Sequence, residues 1–215
     1  MNLNKKNIIL WAKKVFICTL SIFLLGLSGA INIKADLGAD PITVFYDGVS
    51  NFFHTNLGMT INLINFALTV VVFFVKRKYI HIGTLIYVVL LGVFVNMGVY
   101  FYDLCCIPST WIARFLVSIF GCILAFIGIG MYISIDIGVD PWSAASLIIC
   151  QKTGKSFRLI RFLQDAITLI IGISMGGTFG IITVVCVIVG GPAIQKVTEF
   201  VDKTIKLMIK SNCEN

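Results

Sequence analysis

The sequence predicts an all-α membrane protein: six transmembrane helices forming two inverted three-helix repeats, each with a short re-entrant or interfacial half-helix after its first span. Three observations predict it: an apolar content no soluble core can hide, a one-sided distribution of basic residues, and an internal repeat at an offset of 100 residues. Of the 215 residues 58% are hydrophobic and 13% charged, against about 25% charged in ordinary soluble domains. Lipid must therefore be the solvent for much of the chain.

A hydrocarbon layer of about 30 Å takes roughly 20 apolar residues per helix. Six runs meet that need, at about 15 to 33, 57 to 75, 80 to 102, 112 to 133, 160 to 177 and 178 to 195. The first follows lysines and contains the small residues Ser28 and Ala30, as a cleaved secretory signal would. It is read as a retained helix because a later segment copies it. Only short connectors remain, so residues 1 to 215 make a single membrane domain, with repeat 1 at about 11 to 102 and repeat 2 at about 111 to 195.

Cytoplasmic loops collect Lys and Arg. With the N-terminus placed inside and six spans counted, Lys5, Lys6, Lys13, Lys14, Lys76, Arg77, Lys78, Lys152, Lys155, Arg158, Arg161, Lys196, Lys203, Lys206 and Lys210 fall on the cytoplasmic side. Of the 17 basic residues only Lys34 and Arg114 fall outside. The expected topology has both termini cytoplasmic. This placement accounts for the net charge of +7 without nucleic acid.

The repeat is visible in GADP at 38 to 41 and GVDP at 138 to 141, each preceded by an Asp, Asp36 and Asp136. Trp11 matches Trp111, Lys14 matches Arg114 and Asn65 matches Asp165; at an offset of 99, Thr84 and Gly92 match Thr183 and Gly191. Three spans per repeat is an odd number, so the second copy enters the membrane from the opposite side. Inverted repeats of this kind are a recurring plan of secondary transporters, with sites at the repeat interface.

In both repeats Asp is a favoured N-cap and Pro suits the first helical position. A helix from Pro41 to about His54 covers about 21 Å, short of a crossing, and 141 to 151 behaves likewise. Such half-helices direct unpaired N–H groups and a positive dipole end at the loop before them, and irregular backbone at membrane depth lines a cavity or is buried by protein. The candidate substrate or ion site therefore comprises Asp36, Gly38, Asp40, Pro41, Asn65, Asp136, Gly138, Asp140, Pro141 and Asp165. Two readings stand for Asp40 and Asp140: helix caps alone, with Gly38 and Gly138 allowing the turn, or caps that also handle substrate or protons. Asp165 has two as well, as a pathway residue within a span or as the partner of Arg161 one turn earlier. Asn62, Asn96 and Gln164 are further polar residues expected to face the bundle interior. Gly26, Gly29, Ala30, Gly121, Gly128 and Gly130 are expected at close helix contacts.

From about 196 to 215 an amphipathic interfacial helix is expected. Lys196, Lys203, Lys206 and Lys210 would face anionic lipid of the inner leaflet, opposite Val197, Val201, Ile205 and Met208. The seven cysteines, Cys18, Cys105, Cys106, Cys122, Cys150, Cys186 and Cys213, lack CxxC spacing and read as small hydrophobes; for Cys105 and Cys106, adjacent in an outward loop, a redox or metal role is the alternative.

The two copies ADLGADP and DIGVDPW, followed by GTFGIITVVCVIVGGPAIQ at 177 to 195, resemble the bacterial YczE/YyaS/YitT group of multi-span membrane proteins. The YczE-like branch is the closer match, because YitT-type members carry a soluble C-terminal domain. The resemblance implies a multi-pass protein of the bacterial cytoplasmic membrane.

The functional expectation is a small-molecule or ion permease working by alternating access at the repeat interface. The alternative is an accessory or substrate-capturing subunit of a larger membrane complex, with a protein partner or second copy left open. An enzyme is not expected. His54 and His81 fall on opposite sides, no Ser-His-Asp or HExxH pattern occurs, and GKS at 154 to 156 lacks the preceding glycine pattern of a phosphate loop. No catalytic residue, metal ligand or cofactor is assigned.

Overall fold

A computed structural model describes the backbone of residues 3–105 and 110–214, and side chains for 8–9, 11–105 and 110–204. Lys5, Lys6, Cys106, Ile205, Lys206, Met208, Lys210 and Cys213, named above, have side chains outside the described residues. The described chain is helical throughout: α1 (Leu3–Ala35), α2 (Pro41–Phe52), α3 (Leu57–Lys76), a 3-10 turn (Arg77–Tyr79), α4 (Ile82–Leu104), α5 (Trp111–Ile135), α6 (Pro141–Thr153), α7 (Phe157–Ser174) and α8 (Ile181–Glu214). Helix starts recur across the two halves, at Pro41 and Pro141, Leu57 and Phe157, Ile82 and Ile181.

Among the described residues five helical segments are long and apolar enough to cross a membrane: Trp11–Ala35, Leu57–Tyr79, Ile82–Leu104, Trp111–Ile135 and Ile181–Thr204. The sixth expected span, α7, is not among them. This helix has 18 residues, about 27 Å at 1.5 Å per residue, and carries Arg158, Arg161 and Asp165. Its charges, more than its length, set it apart from α3, its counterpart in the first half.

The short helices begin as their sequences require. Asp40 Oδ2 accepts from Thr43 N at 3.2 Å, and Asp140 Oδ2 accepts from Ser143 N at 2.9 Å, with proline in the first turn of both α2 and α6. Before them the chain turns through Asp36 and Asp136 at φ 54° and 52°, then Gly38 at φ 96°. These left-handed positions end the long helices sharply. The stretch from Lys196 onward continues α8 without a break, past Pro192 within the helix.

α1 and α5 pack together at the centre. α4 covers α1, α8 covers α5, α2 lies on α7 and α6 lies on α3. Small residues mark the close approaches: a Cβ on Gly26 would overlap Phe94, on Gly121 Asn32, on Gly128 Ser21 and Leu25, and on Gly130 Val197. Cys18, Ile22, Ala30, Leu91, Val95, Tyr132 and Ile135 form the buried core. Large apolar side chains such as Phe16, Leu63, Phe74, Leu116, Ile170 and Ile188 stand on the outer surface, where a membrane protein meets lipid.

The halves also exchange contacts. Ile182 N donates to Leu37 O at 3.0 Å, and Gly83 N donates to Ile137 O at 3.0 Å. A Cβ on Gly38 would overlap Thr183 Oγ1, and one on Gly138 would crowd Thr84 Oγ1. Each Asp-Pro loop is thus seated on the first turn of the last helix of the other half. Asn51, at the end of α2, donates to Gly176 O at 2.9 Å. Lys76 bonds Gln151, near the end of α6, in the corresponding place.

Candidate functional site

A polar cluster forms where the two half-helices start. Tyr46, on the second turn of α2, donates from its hydroxyl to Asn65 Oδ1 at 2.8 Å and accepts from Trp142 Nε1 at 2.6 Å. One phenol therefore links α2, α3 and α6, and joins the two halves. Tyr46 is 3% exposed and Asn65 is fully buried. Removing such groups from water is costly unless they are hydrogen-bonded, yet Asn65 Nδ2 has no partner.

Aromatic rings surround this link. The Trp142 ring lies 6.3 Å from Tyr46 and 5.8 Å from Phe45, both edge-on. Tyr87, from α4, packs 5.4 Å from Tyr132, from α5. All five belong to one packed core. The Tyr132 hydroxyl is buried without a hydrogen-bond partner.

The charged groups gather on the α7 side. Arg161 Nε lies 3.3 Å from Asp165 Oδ1, an ion pair that leaves this oxygen without a hydrogen bond. Arg161 also donates to Ser143 Oγ at 3.2 Å, which ties α7 to the first turn of α6. The Trp142–Tyr46 bond joins the starts of α6 and α2, and the Arg161–Ser143 bond brings α7 to the same place. Two N-caps from opposite halves thus border one locus. Nearby, Ser146 on α6, the counterpart of Tyr46, hydrogen-bonds Gln164 on α7, one residue before the counterpart of Asn65.

The ten residues singled out from sequence divide into three groups. Asp40, Pro41, Asn65, Asp140, Pro141 and Asp165 come together here. Gly38 and Gly138 sit in the exchanged seats on α8 and α4. Asp36 and Asp136 are exposed, and Asp36 Oδ2 pairs with Arg114 at 2.7 Å while Arg114 Nε donates to Ala35 O at 2.6 Å. That arrangement finishes α1 at its surface end. Both readings of Asp165 remain compatible with its position, since it pairs with Arg161 and borders the cluster.

Several contributors went unseen in the sequence. Tyr46, Trp142, Tyr87 and Tyr132 sit in apolar runs, where aromatics look like ordinary core. Asp47, 5% exposed, accepts from Thr178 N at 2.8 Å and Thr178 Oγ1 at 2.7 Å, holding the loop that leads into α8. The only sequence signal for it was a carboxylate within a short helix. Among the described residues no group of three or more metal-ligating side chains occurs.

Comparison with known proteins places this arrangement. A family described as a family of unknown function (DUF6198) matches residues 12–199. The chain is 28% identical over 172 residues to the uncharacterized membrane protein YczE of Bacillus subtilis (strain 168), covering 80% of this chain and 78% of the relative. An uncharacterized protein of Haemophilus influenzae is 23% identical over 183 residues, covering 85% and 82%. No solved structure matches. The chain belongs to the DUF6198 family and is a membrane protein.

Proposed function

We propose that the protein is a permease for a small molecule or ion, working by alternating access between two inverted halves. The observation that carries this reading is the joining of two Asp-capped half-helices, one from each half, through the buried Tyr46–Trp142 hydrogen bond. Broken helices that meet near the middle of a membrane are a recurring way to expose backbone and polar groups to a solute. The exchanged contacts support the inverted arrangement, because a two-fold axis in the membrane plane would carry Leu37–Ile182 onto Ile137–Gly83. The reading needs α7 as a sixth, amphipathic crossing. Arg161 and Asp165 then face protein, through each other and Ser143, while the exposed Arg158 lies in the first turn at the membrane surface. The cytoplasmic termini and the inner-leaflet contact of Lys196 and Lys203 belong to the same proposal.

Alternating access would rock one half against the other about the Tyr46–Trp142 bond. The test is solute flux into liposomes holding the purified protein, run with cationic, neutral and anionic solutes, beside Asp40→Asn. Saturable flux that falls at least tenfold in the variant is expected. Flux of no solute, with a second protein persistently co-purifying, would replace this reading by an accessory subunit.

A further inference from the structure

We infer that the cluster between the half-helices binds a small organic ammonium cation, an assignment of substrate class that rests on the permease reading for its role in transport. Half-helix starts usually attract anions, because unpaired N–H groups and a partial positive charge of about half a unit lie there. Here each is already met by its own carboxylate, Asp40 on Thr43 and Asp140 on Ser143. The carboxylates at the two half-helix starts are Asp40 and Asp140, while Arg161 and Asp165 form an ion pair with each other. Two half-helix dipoles of about half a charge each leave the locus net negative. An anion would meet the two cap carboxylates, whereas a cation completes the balance.

The aromatic residues narrow the class. A compact, strongly hydrated metal ion is best matched by oxygen ligands, but this locus offers ring surface from Trp142, Tyr46, Tyr87 and Tyr132. Aromatic faces beside carboxylates suit an alkylated ammonium, whose charge is spread over apolar surface. Two deeply buried polar groups have nothing to bind: Asn65 Nδ2, with Asn65 fully buried, and the hydroxyl of Tyr132, which is 5% exposed. Both belong to the core that holds Tyr46 and Trp142, and Tyr132 lies within electrostatic range of Asp140. Buried groups of this kind are normally satisfied. A hydroxyl or carbonyl on the ammonium compound would satisfy them.

The experiment is thermal unfolding of the full-length protein in detergent, titrated at constant ionic strength with choline chloride, sodium chloride, sodium acetate and the uncharged choline isostere 3,3-dimethylbutan-1-ol. Choline is expected to stabilise saturably, with a half-effect concentration at least tenfold below that of sodium, and the isostere to have no saturable effect. Asp140→Asn, which keeps the cap, is expected to raise the choline half-effect concentration at least tenfold, and Trp142→Leu to bring choline to the level of sodium. Glu199→Gln, an exposed carboxylate on α8, is expected to respond as the unaltered chain does. The proposal is overturned if sodium or the isostere matches choline, if acetate stabilises instead, or if no compound does. The wild-type comparison decides even where a variant fails to fold. Choline binding without choline flux in liposomes would keep the site and discard the permease, whereas flux of another solute without choline binding would do the reverse.

Discussion

At the scale of single residues, charge and capping at the Asp-Pro segments can be separated. Asparagine caps a helix about as well as aspartate, so Asp40→Asn and Asp140→Asn should each lower flux at least tenfold while membrane insertion and unfolding temperature stay near those of the parent. Asp40→Ala should further destabilise by about 1 kcal/mol through the lost cap, seen as a lower unfolding temperature. Tyr46→Phe tests the link between the halves. It takes the donor from Asn65 Oδ1 and the acceptor from Trp142 Nε1, leaving buried groups unmet at about 1–3 kcal/mol, readable in the same melt. The aspartates could be found from sequence because Asp-Pro after a glycine turn has a local meaning. Tyr46 could not, since its partners lie 19 and 96 residues away and nothing near it in the chain distinguishes it from packing.

At the scale of elements, the half-helices were legible because caps, proline and length are local properties, and both start at the expected proline. What holds them was not legible. α2 lies against α7 through glycines on both sides: a Cβ on Gly48 would strike the backbone of Gly172, and one on Gly172 would come within 2.8 Å of Phe45 backbone. A glycine within an apolar helix reads as a close contact, but the sequence does not say with which helix. Gly48→Ala and Gly172→Ala should each destabilise by about 1–3 kcal/mol, as overpacking does, and their effects should be non-additive because they share one contact. Gly191→Ala on α8, where nothing lies within 4 Å, should be neutral or stabilise by up to about 1 kcal/mol from helix propensity alone. Equal losses in all three would mean that glycine matters here for reasons other than the α2–α7 contact.

At the scale of the whole molecule, α7 decides the architecture. Hydropathy separates it from the five apolar segments because of Arg158, Arg161 and Asp165, whereas the repeat sets it in register with α3. The two signals conflict for a physical reason: apolarity measures contact with lipid, and part of α7 touches protein instead, with Gly172 against α2 and Arg161 against Ser143 and Asp165. The basic residues add a third signal, since Lys196 and Lys203 on α8 share a side with Lys152 and Lys155 before α7 only if α7 crosses as well as α8. A crossing α7 must put its two flanking loops on opposite sides of the membrane. Single cysteines at Lys155 and Ser174, in a chain freed of its native cysteines, should therefore react differently with a membrane-impermeant maleimide. Position 155 should label in inverted vesicles and position 174 in intact spheroplasts. If both label from one side, α7 does not cross and the halves cannot be inverted copies. A non-crossing α7 would leave the second half with one span fewer than the first, which suits a receptor or subunit and excludes alternating access between two inverted halves.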